Sequence, residues 1–114
     1  MSARDIRLLG HIKESVERID RYTAAGETSF LRSQLHQDAV LHRLAVIGEA
    51  AKSISDELKF ASPQVPWRGM ARLRDVIVHD IAVVDLDQIW EISQSHVAEL
   101  EPMVLELLAT TAND

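Results

Sequence analysis

The sequence predicts an all-α protein, an antiparallel bundle of four or five helices joined by short loops. The chain has 114 residues, of which 46% are hydrophobic and 26% charged, which suits a single helical domain over residues 1–114. Four glycines and three prolines are too few for the many turns of a β-sandwich or β-barrel. These observations leave a helical bundle as the expected architecture.

Several classes of protein are excluded by composition. The chain has no cysteine, which excludes a disulfide framework, a zinc ribbon and thiol catalysis. Apolar runs are short, so no membrane span is expected. Charged residues stand near the N-terminus where a signal peptide would need an apolar run, and we therefore expect a cytoplasmic protein.

The first two helices are predicted from apolar periodicity. Over residues 2–22 apolar side chains recur every three or four positions between charged ones, and Gly26 follows as a stop signal. A second helix is predicted from Thr28 or Ser29 to Leu58. One of its faces is apolar and the opposite one carries small residues, so we expect both faces to pack against other helices. That places it either at the centre of the bundle or at a self-association face.

The remaining helices are predicted from their start signals. Residues 61–66 contain two prolines and form a connector. Pro66 suits the first turn of a third helix that ends at about residue 79. Asp85, followed three residues later by Gln88, resembles a capping arrangement and opens the last helix. Pro102 is expected to kink or restart that helix.

Charge is distributed unevenly. The net charge is −6, which argues against a general nucleic-acid coat protein. Within this acidic chain, residues 66–79 form a small basic island, and residues 80–114 contain acidic residues but no lysine or arginine. The acidic segment is either a solvated helix face or a surface for a basic partner, and the sequence leaves both interpretations open.

The third helix carries a continuous polar face. At about 100° per residue, Arg68, Arg72, Asp75 and His79 lie within about 60° of one another. A histidine at a helix C-terminus is often only a favourable charge–dipole placement, and arginines four apart often form a solvated face. The other histidines match no metal-ligand spacing, so no metal site is expected. They are His11, His36, His42 and His96.

Arg74 differs from the other arginines of this helix. It projects into the edge of the apolar side rather than beside His79. A guanidinium keeps its charge, so its burial requires a carboxylate, a phosphate or backbone carbonyls. Glu49 on the second helix is a candidate partner.

Residues 74–79, with the sequence RDVIVH, resemble the R-x-x-x-x-H motif of the HEPN superfamily in the form carried by HepT-like toxin ribonucleases. Three further stretches follow the order of that family. They are IGEAAK at 47–52, VPWR at 65–68 and VDLDQIW at 84–90. The resemblance implies a HEPN-like homodimer and a metal-independent endoribonuclease that needs no cofactor. It also implies a toxin of a type VII toxin–antitoxin system, paired with a nucleotidyltransferase-type antitoxin.

By the same resemblance, Arg74 and His79 are the catalytic pair and Asp75 is a supporting polar position. RNA cleavage suits these residue types because the ribose 2′-OH supplies the nucleophile. An imidazole can then move protons near neutral pH, and a guanidinium can stabilise charge on the phosphate. Arg68 and Arg72 are candidate contacts to RNA phosphates.

The spacing of the pair raises a geometric difficulty. Five residues separate Arg74 and His79 by about 140° on a helix. Either the helix unwinds before His79, or the site is completed between two protomers. A two-fold dimer would also supply the second histidine that acid and base catalysis need.

One position departs from the family pattern. HepT-like toxins commonly show a tyrosine two residues after the histidine, which the antitoxin modifies with AMP. This chain has Ile81 there, and its one tyrosine is Tyr22. Neutralisation would then require antitoxin binding alone or modification elsewhere, and the nuclease could be weakened. The alternatives are a catalytically silent helical partner of a nucleotidyltransferase and an unrelated helical dimer.

Overall fold

The computed structural model describes residues 1–112, which contain helices and no strand. The α-helices in chain order are α1 (Ala3–Tyr22), α2 (Glu27–Arg32), α3 (Gln34–Ser53), α4 (Asp56–Ala61), α5 (Trp67–His79), α6 (Leu86–Glu91) and α7 (Val97–Ala112). A 3₁₀ turn, Ile81–Val83, follows α5, and a π turn, Ile92–His96, joins α6 to α7. The predicted all-α fold is confirmed. Asp114 of the acidic segment lies outside the described residues.

Helix α1 begins and ends close to the predicted bounds. The Ser2 side chain caps it by accepting a hydrogen bond from the Asp5 N–H at 3.0 Å. At the other end Thr23 closes the helix, and its hydroxyl donates to the Ile19 carbonyl at 2.8 Å. The prediction that Gly26 stops this helix is wrong. Gly26 has a φ of +97° and precedes α2, a backbone conformation that glycine tolerates best.

The predicted helix from residue 28 to 58 is also wrong as a single element, because α2, α3 and α4 divide it. Serines begin α3 and α4. The Ser33 hydroxyl accepts from the His36 N–H, and the Ser55 hydroxyl accepts from the Leu58 N–H, both at 3.2 Å. A serine side chain offers the backbone an alternative to the helical hydrogen bond. Apolar periodicity continues across such a break, so the pattern alone conceals it.

Helix α3 occupies the centre of the bundle, which confirms the first of the two predicted positions. It contacts α1 on one side and α5 on the other. Asp5, near the start of α1, accepts hydrogen bonds from the Ser55 N–H at 3.0 Å and the Ser55 hydroxyl at 2.6 Å, just beyond the end of α3. The two helices therefore run antiparallel. Their shared core is formed by apolar side chains such as Leu9, Ile12, Val16, Leu44 and Ile47.

The third predicted helix is confirmed as α5. Pro66 stands at its N-cap position, one residue before the predicted first turn. Trp67 is buried, and its Nε1–H donates to the Ser62 carbonyl at 3.0 Å. This bond ties the connector to the start of α5.

The last predicted helix is interrupted earlier than expected. Asp85 caps α6 and accepts a hydrogen bond from the Asp87 N–H at 2.9 Å. The restart occurs at Val97, after the π turn, and Pro102 lies inside α7. A proline leaves the carbonyl four residues earlier without its helical partner; that residue is Ala98, inside α7 and beyond the π turn, so the predicted restart at Pro102 is wrong and Pro102 does not explain the π turn. Within residues 1–112, no helix is both long enough and apolar enough to cross a bilayer.

Candidate functional site

The polar face predicted for α5 is present. Arg68, Arg72 and His79 are exposed, and about half of the Asp75 side chain is exposed. The face therefore runs along the outer side of α5 from its first turn to its last. It presents two guanidiniums and an imidazole to solvent.

Arg74 is held against the bundle instead. Only 23% of its side chain is exposed. Its Nε lies 3.1 Å from Glu49 Oε2 on α3, which confirms Glu49 as the predicted partner. Its Nη1 donates to Asp75 Oδ1 at 3.0 Å. Two carboxylates thus orient one guanidinium, and a planar donor with five N–H groups keeps further hydrogen bonds for a ligand.

Gly48 explains how Arg74 reaches Glu49. A Cβ atom at Gly48 would lie 2.5 Å from the Met70 carbonyl oxygen and would collide with the Arg74 Cβ. The absence of a side chain at Gly48 lets α5 lie directly on α3. The close approach sets the Arg74 stem over Gly48 and the guanidinium beside the next residue, Glu49.

Asp75 is an anionic group between cations. The hydrogen bond from Arg74 lowers the pKa of Asp75 against a smaller opposing effect of desolvation, and the charges of Lys52 and His79 lower it further. The Lys52 Nζ lies 4.0 Å from Asp75 Oδ1. No role was predicted for Lys52 from the sequence. Lys52 stands three residues after Glu49 and so lies on the same face of α3. This spacing is the sequence signal that places Lys52 near the site.

His79 is the last residue of α5. The helix is α-helical through this position, and the Asp80 N–H donates to the Val76 carbonyl at 2.9 Å just beyond it. The prediction that the helix unwinds before His79 is therefore wrong. On a continuous helix, Arg74 and His79 point about 140° apart, so completion of the site between protomers stays a prediction.

An apolar patch surrounds His79. We define it as Val76, Val78, Ile81 and Val83, all of which are exposed. Ile81, at the position of the family tyrosine, is 60% exposed. Apolar residues clustered at a surface are typical of protein–protein contacts.

The remaining histidines lie elsewhere. The His36 Nδ1 is 2.6 Å from the Ser33 hydroxyl at the start of α3. His96 lines an apolar groove between α5 and the π turn, and His11 and His42 are exposed. Among the residues that the structure describes, no group of three or more histidine, aspartate or glutamate side chains is arranged to hold a metal ion.

Comparison with known proteins gives a consistent result. The family model described as "Ribonuclease HepT-like" matches residues 12–107. A "Probable ribonuclease HepT" of Thermococcus cleftensis is 35% identical over 82% of this chain and 86% of its own. A "Gamma-glutamylcyclotransferase and putative RNase" of Methanocaldococcus jannaschii is 34% identical over 92% of this chain. The chain spans 48% of the length of that protein. No solved structure matches significantly. The chain belongs to the HepT-like ribonuclease family of the HEPN superfamily.

Proposed function

We propose that the protein is an endoribonuclease that cleaves RNA without a metal ion, with His79 and Arg74 as its catalytic residues. The observation that carries the proposal is the state of the two motif side chains on α5. Arg74 is oriented by Glu49 and Asp75, while His79 stands exposed at the end of the same helix. A fixed cation and a mobile proton carrier are the two groups that the reaction needs.

The reaction follows from the chemistry of RNA. His79 of one protomer removes the proton of a ribose 2′-OH, whose oxygen attacks the adjacent phosphorus. The bond to the 5′-oxygen breaks, and a second imidazole donates a proton to that leaving oxygen. Arg74 hydrogen-bonds the phosphate oxygens and stabilises the additional negative charge of the transition state. The products are a 2′,3′-cyclic phosphate and a 5′-hydroxyl.

A homodimer supplies the second imidazole. Arg74 and His79 of one helix diverge, so a single protomer cannot present both side chains to one phosphate. The exposed apolar patch around His79 provides a surface on which two copies can meet near the site. Two copies of α5 then place both catalytic pairs at a common cleft.

The experiment is cleavage of single-stranded RNA by purified protein in the presence of EDTA. We expect the wild type to cleave, and His79→Ala and Arg74→Ala to lose cleavage by at least about 100-fold each. His11→Ala is the matched control, because His11 is an exposed histidine on α1. Cleavage that survives His79→Ala would remove this histidine from the mechanism.

We further propose that the protein is the toxin of a type VII system, neutralised by a nucleotidyltransferase. The family membership supports this role. Since Ile81 cannot accept AMP, neutralisation occurs by antitoxin binding alone or by modification elsewhere. Expression should arrest growth, His79→Ala should relieve the arrest, and co-expression of a nucleotidyltransferase encoded beside it should also relieve it. Growth unaffected by the wild type would contradict the toxin role.

The second candidate is a silent binding partner of the nucleotidyltransferase. Ile81 in place of the tyrosine favours it, as does the segment 80–114, which has acidic residues but neither lysine nor arginine. This candidate predicts tight binding to the nucleotidyltransferase with no RNA turnover.

A further inference from the structure

A basic groove lies where α4, the connector and the first turn of α5 meet. It has a volume of about 660 Å³, and its lining includes Lys52, Lys59 and Arg68. Among its lining residues, Asp56 is acidic. Three cations stand against Asp56 in the lining and Asp75 beside Lys52, which leaves a local excess of positive charge in a chain whose net charge is −6. Such a local excess attracts a polyanion despite the overall charge.

The groove is continuous with the candidate catalytic site. Lys52 belongs to its lining and also lies 4.0 Å from Asp75, which binds Arg74. From Arg68 the polar face of α5 extends through Arg72 to His79, a rise of about 16 Å along the helix. A strand cleaved at His79 can therefore continue along this face into the groove.

Two features of α4 shape the edge of the groove. The Lys59 Nζ donates to the Lys52 carbonyl at 3.2 Å, which holds its ammonium group near Lys52. Phe60, the next residue, is 90% exposed. It stands one helical turn after Asp56, so the two side chains project from the same face of α4; Asp56 lines the groove, and the Phe60 ring is exposed next to the lining residue Lys59 in the chain. Exposed aromatic rings beside cations are the usual means of holding an unpaired base.

We propose that this groove binds single-stranded RNA beyond the cleaved phosphate. Lys52, Lys59 and Arg68 contact successive phosphates, and the ring of Phe60 stacks on a base. The proposal rests on the proposed function, because it extends the path of the same substrate. An acidic peptide would satisfy the cations but would leave the role of Phe60 unexplained.

The test measures binding rather than cleavage. Every variant carries His79→Ala so that the RNA stays intact, and a fluorescent single-stranded oligonucleotide is titrated at several salt concentrations. Lys52→Gln and Lys59→Gln should each weaken binding and reduce the slope of log K against log salt by about 0.7. Lys13→Gln on α1 is the matched control and should leave both unchanged, since Lys13 pairs with Glu17 on that helix. Circular dichroism checks that each variant is folded.

Phe60 is tested separately from the cations. Phe60→Ala should weaken binding by roughly 5-fold to 100-fold with an unchanged salt slope. Phe60→Trp should bind RNA about as tightly as the protein with Phe60, because tryptophan also presents an aromatic ring for stacking. If Phe60→Ala weakens binding of an abasic oligonucleotide as much as binding of the oligonucleotide with bases, Phe60 does not stack on a base.

The outcomes separate this proposal from the proposed function. Suppose that the wild type cleaves RNA but the groove variants bind RNA as tightly as Lys13→Gln does. This result would overturn the proposal that the groove binds RNA and would leave the proposed nuclease activity standing. Suppose instead that the groove variants weaken RNA binding but the wild type does not cleave RNA. This result would support RNA binding in the groove and would overturn the proposed nuclease activity. Binding of an acidic peptide in preference to RNA would overturn the groove proposal.

Discussion

Replacement of Gly48 by alanine tests the contact on which the site depends. The substitution adds one methyl group to α3 where α5 crosses it. The added Cβ would stand 2.5 Å from the Met70 carbonyl oxygen, about 0.9 Å inside ordinary van der Waals contact. The nearest atoms are the backbone of α5 and the Cβ of Arg74. Neither can rotate away, so α5 must move outward.

The expected magnitude is the balance of two effects. Overpacking of this kind costs about 1–3 kcal/mol, whereas alanine in a helix interior is favoured over glycine by up to about 1 kcal/mol. Because the atoms that the new Cβ meets are backbone and the Arg74 Cβ, the cost should fall in the upper part of that range, about 2–3 kcal/mol, which leaves a net loss of about 1–2 kcal/mol in the free energy of unfolding. That corresponds to a melting temperature lower by about 4–8 °C for a chain of this size. Movement of α5 would also lengthen the 3.1 Å contact of Arg74 with Glu49.

Gly10→Ala is the matched control. Gly10 lies within α1, and a Cβ there meets nothing within 4 Å. The control should therefore show only the helix-propensity effect, a gain of up to about 1 kcal/mol. Both variants are compared with the wild type by thermal and urea unfolding at one protein concentration, because a dimer makes stability depend on concentration.

The refuting result is specific. If Gly48→Ala melts at or above the wild-type temperature while Gly10→Ala is stabilised, the α3–α5 spacing does not depend on Gly48. Loss of RNA cleavage without loss of stability would indicate that Arg74 moved while the bundle adjusted.

Three further predictions concern stability. Burial raises the pKa of Asp5, but the hydrogen bonds from Ser55 and Ser2 and the N-terminal positive charge together outweigh it and hold this pKa below its ordinary value. The stabilisation is present above the ordinary pKa and is lost as pH falls through the lowered pKa. Asp5→Asn should therefore lose less stability than the wild type between pH 5 and pH 3 in urea titrations. Ser15 is buried with no partner for its hydroxyl among the described residues, so Ser15→Ala should unfold at the same or a higher urea concentration. Trp67→Phe removes the donor to the Ser62 carbonyl and should cost about 1–3 kcal/mol in the same assay.

Each of these has a contradicting result. Parallel pH profiles for the wild type and Asp5→Asn would show that the hydrogen bonds of Asp5 do not favour its charged form. A destabilised Ser15→Ala would indicate that the hydroxyl has a partner. An unchanged Trp67→Phe would mean that the connector is positioned by the ring alone.

The helical segments were predictable because apolar periodicity and charge pattern are local properties of the sequence. Helix α5 and the start of α1 match their predicted bounds, since proline and serine end or begin helices by local chemistry. The breaks at Ser33 and Ser55 were missed, because the apolar pattern continues across them. The partner that favours a break at Ser55, Asp5, is 50 residues away in sequence.

The sequence by itself determined an all-helical chain and the polar face of α5, and it showed that Arg74 needs a partner, for which Glu49 was a candidate, because a guanidinium keeps its charge when it is buried. The structure selected Glu49. Tertiary structure decided how closely α5 approaches α3 and which side chains meet there. Lys52, Lys59 and Arg68 line one groove only because α4 and the connector fold beside the first turn of α5. Periodicity describes one helix at a time, whereas the distance and register between two helices depend on packing across their contact.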